Sequence, residues 1–565
     1  MMITSKIVRR KSALVAAVAA VLLCATPCAA QKMQNAQKVQ RDPVPMPEVN
    51  TDTLMKHVRE LSSETYQGRL AGSAGYNRAV RYVKRVLAAY GMEELTEQPF
   101  TTECNEVENC KFNTYVPGSK DKRVFTLGNE FCCVGMTGRG YVDAQMVFCG
   151  YGVDHKAMDE YKYVDVKGKI AVVLTGLPEG HGLPQKVAEH YLTLRDKART
   201  AEKHGAIGML AINVSPSCLP YEPQGRAWCG ELPHLPTFPM LQLTLDCARE
   251  IFAGEQMPVD SAIVRIARER KPQSFALLKK AEIDVNAYYR PQAKTCNVVA
   301  LLKGNDDLLA KEYVVVGASL DGLGMQGETC LFPSADINAT GVAAVLETAR
   351  LLSQSAYRPK RSVLFVLFGG GEQQFLGSRM FVNSYPKLNR IEAFINMQNI
   401  GYGDSLVVLG DNRYPSLWEE AHFCDTSSRT FDMSFNDIQR LWPSATMHGN
   451  NKGDSLVMLD DYRFTIMKKL TSHSFLVGGR HNMMLPAEKS NPRGDARAFD
   501  AVGIPSLVIT THHGMHHNHV TTDVWENIDR RILTLAAQLA ADLTCQIGEG
   551  LYQGRSPKSR NGRPE

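Results

Sequence analysis

Tyr313-Val-Val-Val-Gly-Ala-Ser-Leu-Asp-Gly-Leu-Gly324 reads as a buried strand running into a polar loop. Its first five residues form a short apolar run of the kind a sheet buries on both faces, and Ser319 and Asp321 follow in a glycine-containing loop. Four later runs have the same apolar, strand-like build: 362–368, 393–397, 406–409 and 506–509. A helical pattern lies at 342–352, between the first two strands. Strands alternating with helices predict an α/β fold, an open mixed sheet flanked by helices. Ile528, Ile532, Leu535, Leu539 and Leu543 recur at helical spacing and predict a closing amphipathic helix.

Working outward, a helix is expected from Thr51 to about Ser63, then a turn Tyr66-Gln-Gly-Arg-Leu-Ala-Gly-Ser73. A second helix follows, with Ala79, Val83, Val86 and Tyr90 on one face and Gly91 as its stop. Between 124 and 282 the pattern changes to short strands, at 144–148, 169–174 and 207–213, and Gly/Pro-rich loops. That change predicts an inserted, mostly-β domain at 124–282, dividing the main domain into 51–123 and 283–548. Residues 31–50 read as a flexible leader and 549–565 as a disordered tail.

Residues 1–30 carry the marks of a secretory signal: Lys6, Arg9, Arg10 and Lys11, an apolar run at 12–23, and Cys28-Ala29-Ala30. Twelve apolar residues are too few to span a bilayer, and no later stretch qualifies as a transmembrane helix. Leu23 and Pro27 are poor predecessors for a lipidated Cys24 or Cys28, so a periplasmic or secreted protein is expected rather than a lipoprotein. Removing the signal, with its four basic and no acidic residues, takes the net charge from +5 to +1, and no basic field points to nucleic acid. Of the 14 cysteines none forms a CxxC pair; export permits disulfides, Cys104 with Cys110 and Cys218 with Cys229 being the nearest-spaced candidates.

Ligands of open α/β sheets sit at the carboxyl ends of strands, which gives priority to polar residues just beyond the apolar runs. Besides Gly317 to Gly324, four segments qualify: Pro333-Ser-Ala-Asp-Ile-Asn-Ala-Thr-Gly341, Phe368-Gly-Gly-Gly-Glu-Gln-Gln-Phe-Leu-Gly-Ser378, Ile395-Asn-Met-Gln-Asn-Ile-Gly401 and Asn518-His-Val-Thr-Thr-Asp523. In order and spacing they resemble the secreted co-catalytic zinc aminopeptidases and glutamate carboxypeptidases, over about residues 51–545. Tyr163-Val-Asp-Val-Lys-Gly-Lys-Ile-Ala-Val-Val-Leu174 and the expected helix 197–210 resemble the protease-associated domain, which flanks active sites without catalytic residues.

The resemblance implies a two-metal site, from which this chain departs residue by residue. Ser319 stands where the family has its first histidine ligand, followed by Asp321, which there orients that histidine. The bridging aspartate is Asp336, and Asn338 beside it is expected to cap the next helix and fix the turn. Gly371 occupies the general-base position, Glu372 the adjoining ligand, Gln398 an aspartate ligand, and His519 the last ligand. In Arg493-Gly-Asp-Ala-Arg-Ala-Phe499, Ala496 replaces a histidine of the family pattern. One metal's ligands are thus lost, since a hydroxyl and an amide are weak ligands for zinc. Asp336, Glu372 and His519 remain as a possible site for at most one zinc, with an inherited metal-free polar cluster as the alternative.

The run His512-His-Gly-Met-His-His-Asn-His519 is read as a loop lining the cleft, with an independent metal-binding tract as the alternative. The expectation for function is an exported metallo-exopeptidase homologue, catalytically impaired or inactive, with a retained cleft for a peptide or protein ligand. Two alternatives stand beside it. One is an active single-metal aminopeptidase attacking peptide bonds from a free amino terminus; the other is a non-enzymatic protein acting through the inserted domain.

Overall fold

The computed structural model describes residues 48–550 and 552, apart from 93, 179, 215–233, 404, 411–413, 415–416, 418–419, 422–423, 425–445, 450–454, 459–473, 478–493 and 513–517. All belong to one of two units, Pro45–Glu565; the other, Met1–Val44, lies outside the described residues together with the expected signal.

Helix α1 (Thr51–Leu61) opens at Asn50, whose side chain accepts the Thr53 N–H, and α2 (Ala74–Ala89) opens at Ser73, which accepts the Tyr76 N–H. The buried stripe of α2 is Tyr76, Ala79, Val80, Val83 and Leu87. Val86 and Tyr90, expected on that face, lie at its margin and are half-buried. Strand β1 (Glu94–Tyr115) then runs out from the main sheet. Residues 124–282 contribute β2 (Phe131–Cys133), β3 (Gly140–Phe148), β4 (Ile170–Leu174), α3 (Leu194–Lys203), β5 (Gly208–Ile212) and β6 (Met240–Leu243). The helix expected over 197–210 starts earlier and stops at Lys203. Gly205 takes a left-handed φ of 86°, and the chain re-enters the sheet at Gly208.

Strand β7 (Phe275–Leu302) returns antiparallel to β1 along almost its whole length, and it also pairs with β3 and with a strand of the later segment, so one sheet runs through both regions. There follow β8 (Tyr313–Ser319), α4 (Gly341–Gln354), β9 (Ser362–Phe368), α5 (Leu376–Ser384), β10 (Ile391–Met397), β11 (Ser405–Gly410), β12 (Ser474–Val477), α6 (Ala496–Ala501), β13 (Ser506–His512) and α7 (Arg530–Gly548). The sheet order is β12-β11-β13-β10-β8-β9-β7-β3-β4-β5-β6-β2. The segment β13-β10-β8-β9 is parallel, whereas β7 and β11 flank it antiparallel. This is the expected mixed sheet, and burial on both faces explains why β8 and β9 read as nearly continuous apolar runs, while β10 buries Glu392 and Asn396 among its apolar residues.

Separate apolar cores lie along it. Phe368, Phe381, Phe394 and Phe499 pack with Val315 and Val366 in the main domain. Phe112 of β1 packs with Phe131, Phe148 and Phe252 of the 124–282 region, in a cluster that reaches Val107 on β1 and Ala287 on β7. The nearest-spaced candidates, Cys104 and Cys110, are both buried thiols on β1, about 20 Å apart at strand rise and beyond the reach of a disulfide. Cys218 and Cys229 lie outside the described residues.

Candidate active site at the strand ends

Four parallel strands deliver the candidate residues to one edge of the sheet. Ser319 ends β8, Gly371 and Glu372 follow β9, Gln398 follows β10, and His519 follows β13. The Ser319 hydroxyl donates to Asp495 Oδ2 at 2.8 Å. Asp321, fully buried, accepts the Gly371 N–H at 2.8 Å and the Glu372 N–H at 3.1 Å. A residue that would orient an imidazole in the family therefore holds the loop after β9.

Gly371 packs directly on Ser319. A Cβ there would stand 2.2 Å from Ser319 Oγ, 2.6 Å from its Cβ and 3.1 Å from Asp321 Oδ1. Beyond it, Glu372 Oε2 lies 2.9 Å from His519 Nε2, and Glu372 Oε1 accepts from Asn338 Nδ2 at 3.2 Å. The same amide donates to Asp321 O at 2.9 Å. Asn338 is thus a tie between two candidate loops rather than a helix cap; Thr340 precedes α4, without a side-chain cap.

Asp336 sits in the turn Ala335–Thr340, fully buried. Its Oδ1 accepts the Gly401 N–H at 2.6 Å and the Thr340 hydroxyl at 3.2 Å, while its buried Oδ2 has no partner. Asp523 clamps the turn by accepting the backbone N–H of Asp336 at 2.8 Å and of Ile337 at 3.2 Å. Gln398 points its Oε1 at Gly494: a Cβ on that glycine, whose φ is 64°, would meet the amide oxygen at 2.1 Å. Of the histidine run, side chains are described only at Asn518 and His519 for residues 512–519.

Burial governs the charges. It pushes Asp321 up to about 8, with Glu372 adding to the effect, and Asp495 up to about 6. Asp336 and Asp523 are raised first by burial, and the nearby Asp523 raises Asp336 further, which disfavours ionisation of both together. Arg69 is the buried cation beside this cluster, lowered to about 10 by burial and drawn back up by Asp523, Asp321 and Glu372. Its guanidinium donates to the carbonyls of Leu320 (3.0 Å), Pro333 (3.1 Å), Ser334 (2.7 Å) and Leu61, joining α1 to both loops.

This architecture defines an aminopeptidase-like zinc-exopeptidase fold. The zinc aminopeptidase of Bacillus subtilis superposes with a TM-score of 0.55 at 18% identity, covering 88% of this chain and 95% of that one. Residues 297–436 match the model described as Peptidase family M28. A "Probable zinc metalloprotease" of Pyrenophora teres f. teres is 34% identical over 110 residues, 18% of this chain and 22% of that protein. "Transferrin receptor protein 2" of Homo sapiens is 25% identical over 185 residues, 32% of this chain and 21% of that protein. The matched part of the chain spans about a fifth of the length of these curated relatives.

The residues fit zinc unequally at the two family positions. At one, Ser319 is committed to Asp495, Gln398 is an amide against Gly494, and the base position is a glycine, so the donor set does not suit an ion. At the other, Asp336 offers an orphaned carboxylate oxygen, and Glu372 and His519 already touch. Those three donors suit one ion chemically, although among the described residues no three such side chains converge as a metal-ligand set in this conformation. Arg69, Asp495 and Asp523 escaped assignment from sequence. Each lies inside a quoted motif, but the partners that give it meaning are far along the chain.

Proposed function

We propose that this chain is an exported, catalytically impaired homologue of the zinc aminopeptidases that keeps a peptide-binding cleft. The observation that carries the reading is the contact between Gly371 and Ser319, which leaves no room for a general base beside a position that has no imidazole. A positioned base contributes about 10²–10⁴ in rate, and a second metal stabilises the attacking and leaving oxygens together. Both contributions are missing from these residues. The signal-like residues 1–30 support export to the periplasm or medium, and among the described residues no helix is long and apolar enough to cross a membrane. The insertion's β3, β4, β5 and α3 support a protease-associated domain beside the cleft, and a peptide is the ligand that the retained strand-end loops suit.

The test is metal analysis of the purified chain, together with turnover of aminoacyl reporter substrates in zinc. At most one zinc per chain, with turnover lower than a two-zinc aminopeptidase by at least about 10², is expected; two zinc ions with rapid turnover would refute the proposal. The unpartnered Asp336 Oδ2 favours a second reading, a hydrolase with one zinc held by Asp336, Glu372 and His519. An ion there would supply positive charge to polarise a carbonyl oxygen. That reading predicts slow turnover abolished by Glu372→Ala.

A further inference from the structure

Four buried thiols meet around Gln326, where the insertion touches the loop between Asp321 and Asp336. The Gln326 amide is the centre of the junction: Oε1 accepts the Cys133 N–H at 2.8 Å and Nε2 donates to Cys133 O at 2.9 Å. Gln326 also pairs with Val107 of β1 and, across a short hairpin, with Cys330. Cys110 lies three residues further along β1.

Cys132 and Cys133 are neighbours on β2, so their side chains leave the strand on opposite faces. Cys133 enters the same buried core as Cys110, and the two thiols lie close enough to interact. Cys132 enters a separate small cluster with Leu323, Cys330 and Phe332. Strand alternation therefore sorts four cysteines into two pairs and disfavours a bond between the adjacent two.

We infer that this junction is a disulfide-forming site, pairing Cys110 with Cys133 and Cys132 with Cys330. The first bond closes the insertion on itself. The second ties β2 to the hairpin that precedes Asp336 and fixes the insertion against the candidate site. Each bond forms by thiol–disulfide exchange with an oxidised dithiol or glutathione disulfide. One cysteine thiolate attacks the oxidant and releases a thiol, the second cysteine displaces the oxidant's remaining thiol, and two electrons and two protons pass to the oxidant. Burial raises the Cys132 and Cys133 thiols well above their usual range and Cys330 to about 12, so attacking thiolate is scarce in the folded chain. The bonds are accordingly made as the chain folds, before these groups are sealed. This inference stands apart from catalysis, and its test needs no turnover.

The full chain, refolded in a glutathione redox buffer and also produced in an oxidising compartment, is alkylated without reduction. Its folded fraction is digested and mapped by mass spectrometry. The expected product is a three-peptide species joining the peptides of Cys110, Cys132–Cys133 and Cys330, lost on reduction. The double variant Cys110→Ala/Cys133→Ala should keep the Cys132–Cys330 link. Alkylation of Cys132 and Cys330 as thiols in the folded wild-type chain, or their linkage to other cysteines, would overturn the inference.

Discussion

Replacing Gly371 by alanine isolates the contact on which the functional reading depends. The backbone at 371 is outside the left-handed region, so a methyl group adds no conformational strain. It adds a packing conflict, since the new Cβ would lie 2.2 Å from Ser319 Oγ and 2.6 Å from Ser319 Cβ. Oγ can rotate away only by giving up its 2.8 Å hydrogen bond to Asp495, whereas Cβ is fixed by the end of β8. Overpacking of this kind costs about 1–3 kcal/mol, and the lost buried hydrogen bond adds about 1 kcal/mol. Glu at 371 should cost more than alanine, because its carboxylate would join Asp321 and Glu372 beside one buried arginine. The measurement is denaturant unfolding of wild type, Gly371→Ala, Ser319→Gly and the double variant, analysed as a cycle. Removing the Ser319 side chain should relieve the Gly371→Ala penalty, giving a coupling of more than about 1 kcal/mol. A neutral Gly371→Ala, or additive effects within about 0.5 kcal/mol, would refute the interlock. The restored glutamate should also fail to restore turnover, because Ser319 and Gln398 remain.

Two further predictions concern the frame around the site. His57 is buried between the hydroxyls of Tyr82 (2.7 Å) and Tyr90 (3.3 Å), and its pKa is lowered from 6.5 to about 4, first by burial and then by Lys56 and Arg350. The folded state prefers neutral imidazole, so this stability is fully present above about pH 6.5 and is lost as pH falls through about 4; it amounts to about 3 kcal/mol. His57→Gln should flatten the stability–pH curve in that window, and an unchanged slope would count against the assignment. Arg69→Met should destabilise by about 3–5 kcal/mol, because four backbone carbonyls in three segments lose a buried charged donor. Hydrogen exchange should rise first around 320–334; protection unchanged there would contradict the role given to Arg69.

How far sequence reached follows from the range of each interaction. The strands of the main sheet were legible because burial on both faces makes them continuous apolar runs, and the candidate residues were legible because parallel strands bring their ends together. Helix boundaries were less so: Gly205, not the apolar residues beyond it, decides where α3 gives way to β5. Cys104 and Cys110 looked like partners by spacing until a strand was seen to hold them apart. Ser319 was picked out by its place after a strand, but nothing in the sequence marks it as the donor to Asp495, 176 residues away. Nothing local in Asp523 or Arg69 announces that one clamps the Asp336 turn and the other joins three segments.

Ser319, Gly371 and Gln398 form one closely packed half of the candidate site. Ser319 is bonded to Asp495, Gly371 is closed onto Ser319, and Gln398 rests on Gly494, the neighbour of Asp495. A hydroxyl, a bare Cα and an amide fill the space with groups that carry no charge, beside a carboxyl that burial already pushes toward its neutral form. Each replacement is accommodated by the next, so restoring one residue meets the volume and hydrogen bonds of the others. The half containing Asp336, Glu372 and His519 keeps its charged and imidazole groups, with one carboxylate oxygen still unpartnered. Filled packing of this kind keeps the shape of the loops around it, because an unfilled polar void would weaken them.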